Sequence, residues 1–520
     1  MTGFEKGAAS VSDDNKTILV FVHGWSVTNT DTYGGLPVRL RGEAEALKLN
    51  VRIEELFLGR YISFHDEVRL SDISRAFRTA LADELPDLLQ PGTRFVCITH
   101  STGGPVVRDW WHRYYESDPQ AGICPMSHLI MLAPANFGSA LAQLGKGRLS
   151  RLKSWFEGVE PGQGVLDWLE LGSSEAWELN SRWITSDGSR IGPDGIFPFV
   201  LTGQSIDRSF YDNLNSYTGE TGSDGVVRVA AAHLGGTYIK LVQETPQPVA
   251  GQPGVFSADS LDVAMLKRAP ETALRVIGGK SHSGETMGIM RSVAESLADT
   301  NSRETVYAIL ACTQVRTDVE YMALCEQFKA ETEAVQKREL LEVERHLFCS
   351  NVSFIHDRYA MVMFRVRDDE GHPVTDYDLI LTAGPKADPN HLPQGFCADR
   401  QRNSINPEVI TYFLNRDVMK GAPPVIDADG TVIRPDLPGA VMLGFKLIAR
   451  PDSGFVHYLP CEIMATEEML EQVLHANSTT MVDIVLRRVV RKNVFRVDKM
   501  TAATVPVDFA GVGVGDGIVG

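Results

Sequence analysis

The chain lacks several features that would place it quickly. It has no apolar run long enough to cross a bilayer, and Met1 to Lys16 is polar and passes directly into a predicted strand. Neither a Sec-type signal peptide nor a transmembrane helix is expected. Its seven cysteines (Cys97, Cys124, Cys312, Cys325, Cys349, Cys397 and Cys461) are scattered, odd in number and without C-x-x-C spacing. That pattern suggests neither a zinc site nor a disulfide framework, and it fits synthesis in a reducing compartment such as the cytoplasm. Positive charge is scarce: 50 Lys and Arg against 67 Asp and Glu leave a net charge of −17. Such a balance argues against a nucleic-acid binder and against unaided attraction to anionic lipid. A protein of this kind that reaches a membrane does so peripherally, and one that leaves the cell uses a non-Sec route.

What is present reads as soluble and globular, with 43% hydrophobic and 22% charged residues, and 520 residues favour two or three domains. Thr17–Val22, Val51–Leu58, Phe95–Ile98, His128–Leu132, Ile196–Leu201 and Ala273–Ile277 are short apolar runs of the buried-strand type. Helical stretches such as Leu70–Leu89 alternate with them. This order predicts an α/β domain over residues 1–303, with a mostly parallel sheet flanked by helices. An insertion at about 140–195 interrupts the rhythm; it holds Trp155, Trp168, Trp177 and Trp183 beside Lys146, Arg148, Arg151 and Lys153. It reads as a helical segment packed on the domain, and also as a lid that meets a membrane interface, where Trp and basic residues are both at home. Residues 304–520 begin with a charged helix, Val319–His346, and continue in alternating, β-rich runs separated by Asp/Gly turns. A mainly antiparallel, sandwich-like domain is expected there. Its Gly/Val-rich tail, 505–520, is apolar for a free end, and assembly into a homo-oligomer or docking on a membrane is the expected use.

Chemistry concentrates at Thr99-His100-Ser101-Thr102-Gly103-Gly104, between the strand Phe95–Ile98 and a helix predicted over Pro105–Tyr115. That is the strand–turn–helix setting of a nucleophile elbow, although Thr99 stands where the first glycine of G-x-S-x-G usually does. A serine nucleophile needs a base and a carboxylate that fixes the base's tautomer. In α/β-hydrolases the chain order is Ser, acid, His. Asp224, in Gly222-Ser223-Asp224-Gly225, and His282, in Gly279-Lys280-Ser281-His282-Ser283-Gly284, fit that order, with Asp207, Asp212 and His233 as rivals. His23-Gly24-Trp25 follows the first strand, where a second oxyanion donor usually sits, so the backbone N–H groups of Trp25 and Thr102 are the candidate oxyanion hole. No metal site and no cofactor are expected.

With Thr in place of the first glycine, the T-H-S-T-G-G elbow resembles that of the PlaB-like bacterial phospholipases A/lysophospholipases. Ser101, Asp224 and His282 match that family's catalytic serine, its Asp before Gly and its late His. Residues after about 303 are similar to its β-rich C-terminal domain only in character. The resemblance implies hydrolysis of acyl esters of phospholipids and lysophospholipids at a membrane surface. Leu132–Ser139 is similar to a segment that lines the acyl pocket in many bacterial lipases, which makes Asn136 and Phe137, with Trp155 and Phe156 of the insertion, the candidate pocket and lid residues. Competing readings are an antibacterial lipase effector of a contact-dependent secretion system, a short-chain esterase or acyltransferase, and a catalytically silent scaffold.

Overall fold

A computed structural model describes residues 16–23, 32–62, 65–118, 122–143, 162–188, 190–206, 221–252, 255–344, 352–440 and 442–490. In chain order its longer strands begin with β1 (Thr17–His23), β2 (Val51–Phe57), β3 (Phe95–His100), β4 (Met126–Leu132), β5 (Phe197–Thr202), β6 (Thr237–Gln243), β7 (Leu261–Arg268) and β8 (Ala273–Val276). β3, β4 and β5 are buried almost throughout, the condition of central parallel strands covered on both faces. The first sheet runs β8-β5-β4-β3-β1-β2 with every pairing parallel.

Successive residues face opposite sides of a strand, and β1 divides its apolar residues accordingly. Val20 and Val22 join a core with Phe77 of α2 (Leu70–Glu84) and Val107 of α3 (Gly103–Trp111). Leu19 and Phe21 join a second core with Leu40 of α1 (Leu36–Ala46). Further along the chain come α4 (Gln163–Leu169), α5 (Ser174–Thr185), α6 (Val229–Ala232), α7 (Arg303–Gln314) and α8 (Asp318–Arg338). Ile309 of α7 and Phe328 of α8 complete the second core. Helices that follow residue 303 therefore cover a face of the first sheet. The helix expected to reach His346 stops at Arg338, and Leu341–Glu344 pairs with Val352–Ile355 as a short hairpin.

The remaining strands are β9 (Tyr359–Asp368), β10 (Tyr377–Ala383), β11 (Cys397–Arg402), β12 (Val409–Asn415), β13 (Met442–Ala449), β14 (Cys461–Thr466) and β15 (Ser478–Leu486). A six-stranded sheet, β11-β12-β9-β15-β6-β7, faces a three-stranded one, β10-β13-β14, across a shared apolar core. Most pairings are antiparallel, as expected, but β9–β15 and β15–β6 are parallel. β6 and β7 precede residue 303 in the chain yet belong to this second sheet. The two sheets consequently do not part at that position.

In the insertion, α4 and α5 bury Trp168, Trp177 and Trp183, and the Arg365 guanidinium lies 4.4 Å from the Trp177 ring centroid. These tryptophans are core residues. Trp155 and Phe156 lie outside the described residues, as does the tail 505–520. Among the described residues, no helix is long and apolar enough to cross a membrane.

Candidate active site

The elbow is made by its own sequence. β3 ends at His100, and Ser101 takes φ +52°, a left-handed conformation that is uncommon outside glycine and typical of strained functional turns. The Ser101 N–H donates to the Leu132 carbonyl at 3.0 Å, and the Ser101 carbonyl accepts from Gly104 at 3.2 Å. The small residues are needed for close approach. A Cβ on Gly104 would stand 2.9 Å from Cβ of Pro134, and one on Gly103 would stand 3.2 Å from Cβ of Thr99. Thr102 is the N-cap of α3, so its N–H is among the donors that a helix start leaves without intrahelical partners.

His282 reaches this turn from the loop after β8. Its Nε2 lies 3.1 Å from Ser101 Oγ, and its Nδ1 lies 2.9 Å from Asp224 Oδ2. The His282 backbone N–H also donates to the Asp224 carbonyl at 2.9 Å. Asp224 Oδ1 accepts from the N–H groups of Val226 and Val227 at 3.0 and 2.7 Å, so both carboxylate oxygens are engaged and its orientation is fixed. Asp224 and His282 have no exposed surface, and Ser101 retains 9%. Three residues far apart in the sequence thus form one hydrogen-bonded chain.

The other candidates are dispersed. Asn136 is buried with its amide fully used: Nδ2 donates to the Ala232 carbonyl at 2.7 Å and Oδ1 accepts from Arg108 at 3.1 Å. Burial pushes the Arg108 guanidinium down to about 9. Phe137 is buried beside it, its N–H donating to the Ala231 carbonyl at 2.9 Å. His233 bonds the Asn477 carbonyl and Thr272, not the elbow. His23 stacks on Phe57 with ring centroids 4.2 Å apart, and its ring nitrogens have no partner among the described residues. Trp25, Asp207 and Asp212 lie outside the described residues.

No protein-family profile matches the chain, and no curated protein does. Solved structures do. Phospholipase PlaB from Legionella pneumophila is 44% identical, with 93% of this chain and 96% of that one covered and a TM-score of 0.79. The same enzyme in complex with thio-NAD is 42% identical over 96% of this chain and 99% of that one, again with a TM-score of 0.79. The chain belongs to the PlaB phospholipase family. It is a carboxylic ester hydrolase of the α/β-hydrolase kind with phospholipase function.

Within this PlaB-type site, the sequence reading passed over the residues that hold the loops. His100 Nε2 lies 3.1 Å from the His282 carbonyl, with the two rings 4.8 Å apart. Burial, then the neighbouring His282, lower His100 to about 3, so a neutral ring donates that bond. Glu339, just beyond α8, accepts from the Gly279 N–H at 2.8 Å and from Gln204 at 3.0 Å, pinning the base of the His282 loop. The Asp224 loop rests on the second sheet: Thr221 bonds the Tyr359 hydroxyl at 2.7 Å, Arg228 pairs with Asp399, and Thr479 bonds the Ala230 carbonyl at 2.7 Å. No local signal marks these partners, because each lies far along the chain from the loop it holds, 60 residues away for Glu339 and Gly279 and more than a hundred for the rest.

Proposed function

We propose that this PlaB-family enzyme hydrolyses acyl esters of glycerophospholipids and lysophospholipids through an acyl-enzyme on Ser101. The observation that carries the reading is the Ser101–His282–Asp224 chain of hydrogen bonds, 3.1 and 2.9 Å long, in a family of phospholipases. His282 takes the Ser101 proton as Oγ attacks the ester carbonyl, and Asp224 keeps Nδ1 protonated and stabilises the imidazolium that forms. The tetrahedral oxyanion is held by the Thr102 and Trp25 N–H groups; loss of one such donor costs about 2.7–4 kcal/mol of barrier. His282 then protonates the departing lysolipid or glycerol oxygen, and water repeats the sequence on the acyl-enzyme.

In this reading Asn136 and Phe137, in the segment after β4, belong to the wall of the acyl pocket, with Trp155 and Phe156 as its cover. Peripheral membrane attachment and self-association belong to the same proposal, as does binding of a nicotinamide dinucleotide, which the related PlaB structure contains. The comparisons favour neither a short-chain esterase or acyltransferase, nor an antibacterial effector, nor a silent scaffold. The test is hydrolysis of phosphatidylcholine and lysophosphatidylcholine vesicles by wild type and Ser101→Ala, alongside labelling by a fluorophosphonate. The wild type should hydrolyse both lipids and be labelled, and the variant should do neither. A variant that retains hydrolysis overturns the assignment of Ser101.

A further inference from the structure

Protein interiors are packed to near-crystalline density and contain few voids larger than a water molecule. The second sheet and its three-stranded partner nevertheless enclose a cavity of about 340 Å³, inside the range of single-ligand pockets, about 300–1,000 Å³. Ile239, Leu241 and Val482 form one wall, and Leu443, Phe445 and Ile463 form the other. The edge strand β7 contributes Val263 and Leu266, which line the cavity while 48% and 40% of their surface is exposed. The cleft therefore opens to solvent along β7. An apolar cleft of this size takes apolar guests.

A polar cavity of about 310 Å³ adjoins it, and the strand register shows how the two connect. Leu266 pairs with Ile239, and Arg268 pairs with Thr237; Ile239 in turn pairs with Val482, and Thr237 with Thr480. Residues two apart on a strand share a face. Arg268 thus stands in the row next to the apolar one, about 7 Å along the strand, and lines the polar cavity. Burial, then the charge of Arg268, lowers His475, which lines the same cavity. The cavity also holds Lys329, Glu271 and Glu333, while Arg358 is occupied by Asp417 at 2.6 Å, and Arg268 stands at its exposed rim. Arg268 has no ion-pair partner among the described residues. An apolar slot with a cation at one end matches a single-chain amphiphile with an anionic head.

A carboxylic ester hydrolase acting on lipids makes such a molecule. The acyl C–O bond is cleaved, one hydrogen of water ends on the departing alcohol, its hydroxyl joins the acyl carbon, and the acid releases its remaining proton to solvent as a carboxylate. We propose that the inter-sheet cleft of the C-terminal sandwich binds a free long-chain fatty acid, its chain between the sheets and its carboxylate at Arg268. The site is separate from the Ser101 elbow and independent of the roles assigned there.

The test is fluorescence titration of the full chain with cis-parinaric acid and with its neutral methyl ester. Wild type should bind the acid saturably. Arg268→Glu and Leu266→Glu should each weaken that binding about tenfold, the first by repelling the carboxylate and the second by placing a charge in the apolar slot. Arg268→Lys should restore most of it, and the methyl ester should be indifferent to Arg268→Glu. Val263→Phe, at an exposed edge position, is the alternative cleft variant if Leu266→Glu does not fold. Hydrolysis of a soluble short ester should stay within about twofold of wild type in all of them, because none touches the elbow. The proposal is overturned if Arg268→Glu and the cleft variant both bind the acid as wild type does. It is also overturned if the methyl ester binds as tightly as the acid and loses as much on Arg268→Glu.

Discussion

The elbow and the Asp224 loop contribute to the same constellation but are held in opposite ways. Ser101 is set by its own neighbourhood: β3, α3 and the turn after β4 supply its hydrogen bonds and the close contacts that demand glycine. Asp224 depends on distant partners, with Tyr359, Asp399 and Thr479 of the second sheet bracing the loop that carries it. His282 stands between these cases, its loop tied to Glu339 at the end of a helix that follows it. Nucleophile geometry in this molecule is encoded locally. The Asp224 loop is held by the second sheet, which under the proposed mechanism makes that sheet a support of the acid.

The sharpest challenge to this contrast removes the chemistry on both sides. Ser101→Ala should lower kcat by roughly 10⁴–10⁶-fold, and adding His282→Ala should cost little more, since triad members act as a unit. Multiplying losses in the double variant would show that the residues work separately. Next in size is Arg228→Met, which removes a buried guanidinium and leaves the half-buried Asp399 beside a neutral side chain. It should destabilise by about 2–4 kcal/mol in urea unfolding and lower vesicle hydrolysis. Gly104→Ala is the counterpart on the local side. Its methyl group, 2.9 Å from Pro134, should cost about 1–3 kcal/mol and displace Ser101, seen as slower fluorophosphonate labelling.

A smaller effect concerns acid. His23, His100, His128 and His233 are all lowered by burial, to about 4, 3, 4 and 4. Each folded value lies below that of the unfolded chain, so the unfolded state binds the protons first. Stability is then complete above about 6.5 and falls as pH drops through the folded values. The urea midpoint should be lower at pH 5 than at pH 7, and His128→Gln should flatten that dependence. The least change is expected from His100→Gln, which replaces the donor to the His282 carbonyl. A kcat loss of about tenfold with KM unchanged would mark it as a positioning residue.

The contrast also explains what could be read from the sequence. The elbow was legible because strand, turn and helix are consecutive, so composition and spacing carry the geometry. Asp224 and His282 could be placed by chain order and glycine flanks, but the rivals Asp207, Asp212 and His233 could not be dismissed, since nothing local distinguishes a braced loop from a free one. The β strands of the first sheet announced themselves as buried runs. β6 and β7 did not: the apolar residues of β7 are largely exposed, and a strand's sequence does not say which sheet it will join. The end of the predicted helix at His346 failed for a related reason. The charged residues after Arg338 favour a helix, yet Leu341–Glu344 finds a strand partner in Val352–Ile355.

The seating of β6 beside β15 has a consequence for the protein's birth. Chains emerge from the ribosome N-terminus first and fold as their parts become available. Ser101, Asp224 and His282 are all synthesised well before Thr480, which pairs with Thr237. Until that late strand arrives, β6 lacks its central neighbour and Thr479 cannot brace Ala230. A ribosome-bound nascent chain therefore carries Ser101, Asp224 and His282 before the strand that braces the Asp224 loop. The loop that carries Asp224 gains its brace only once β15 has been made.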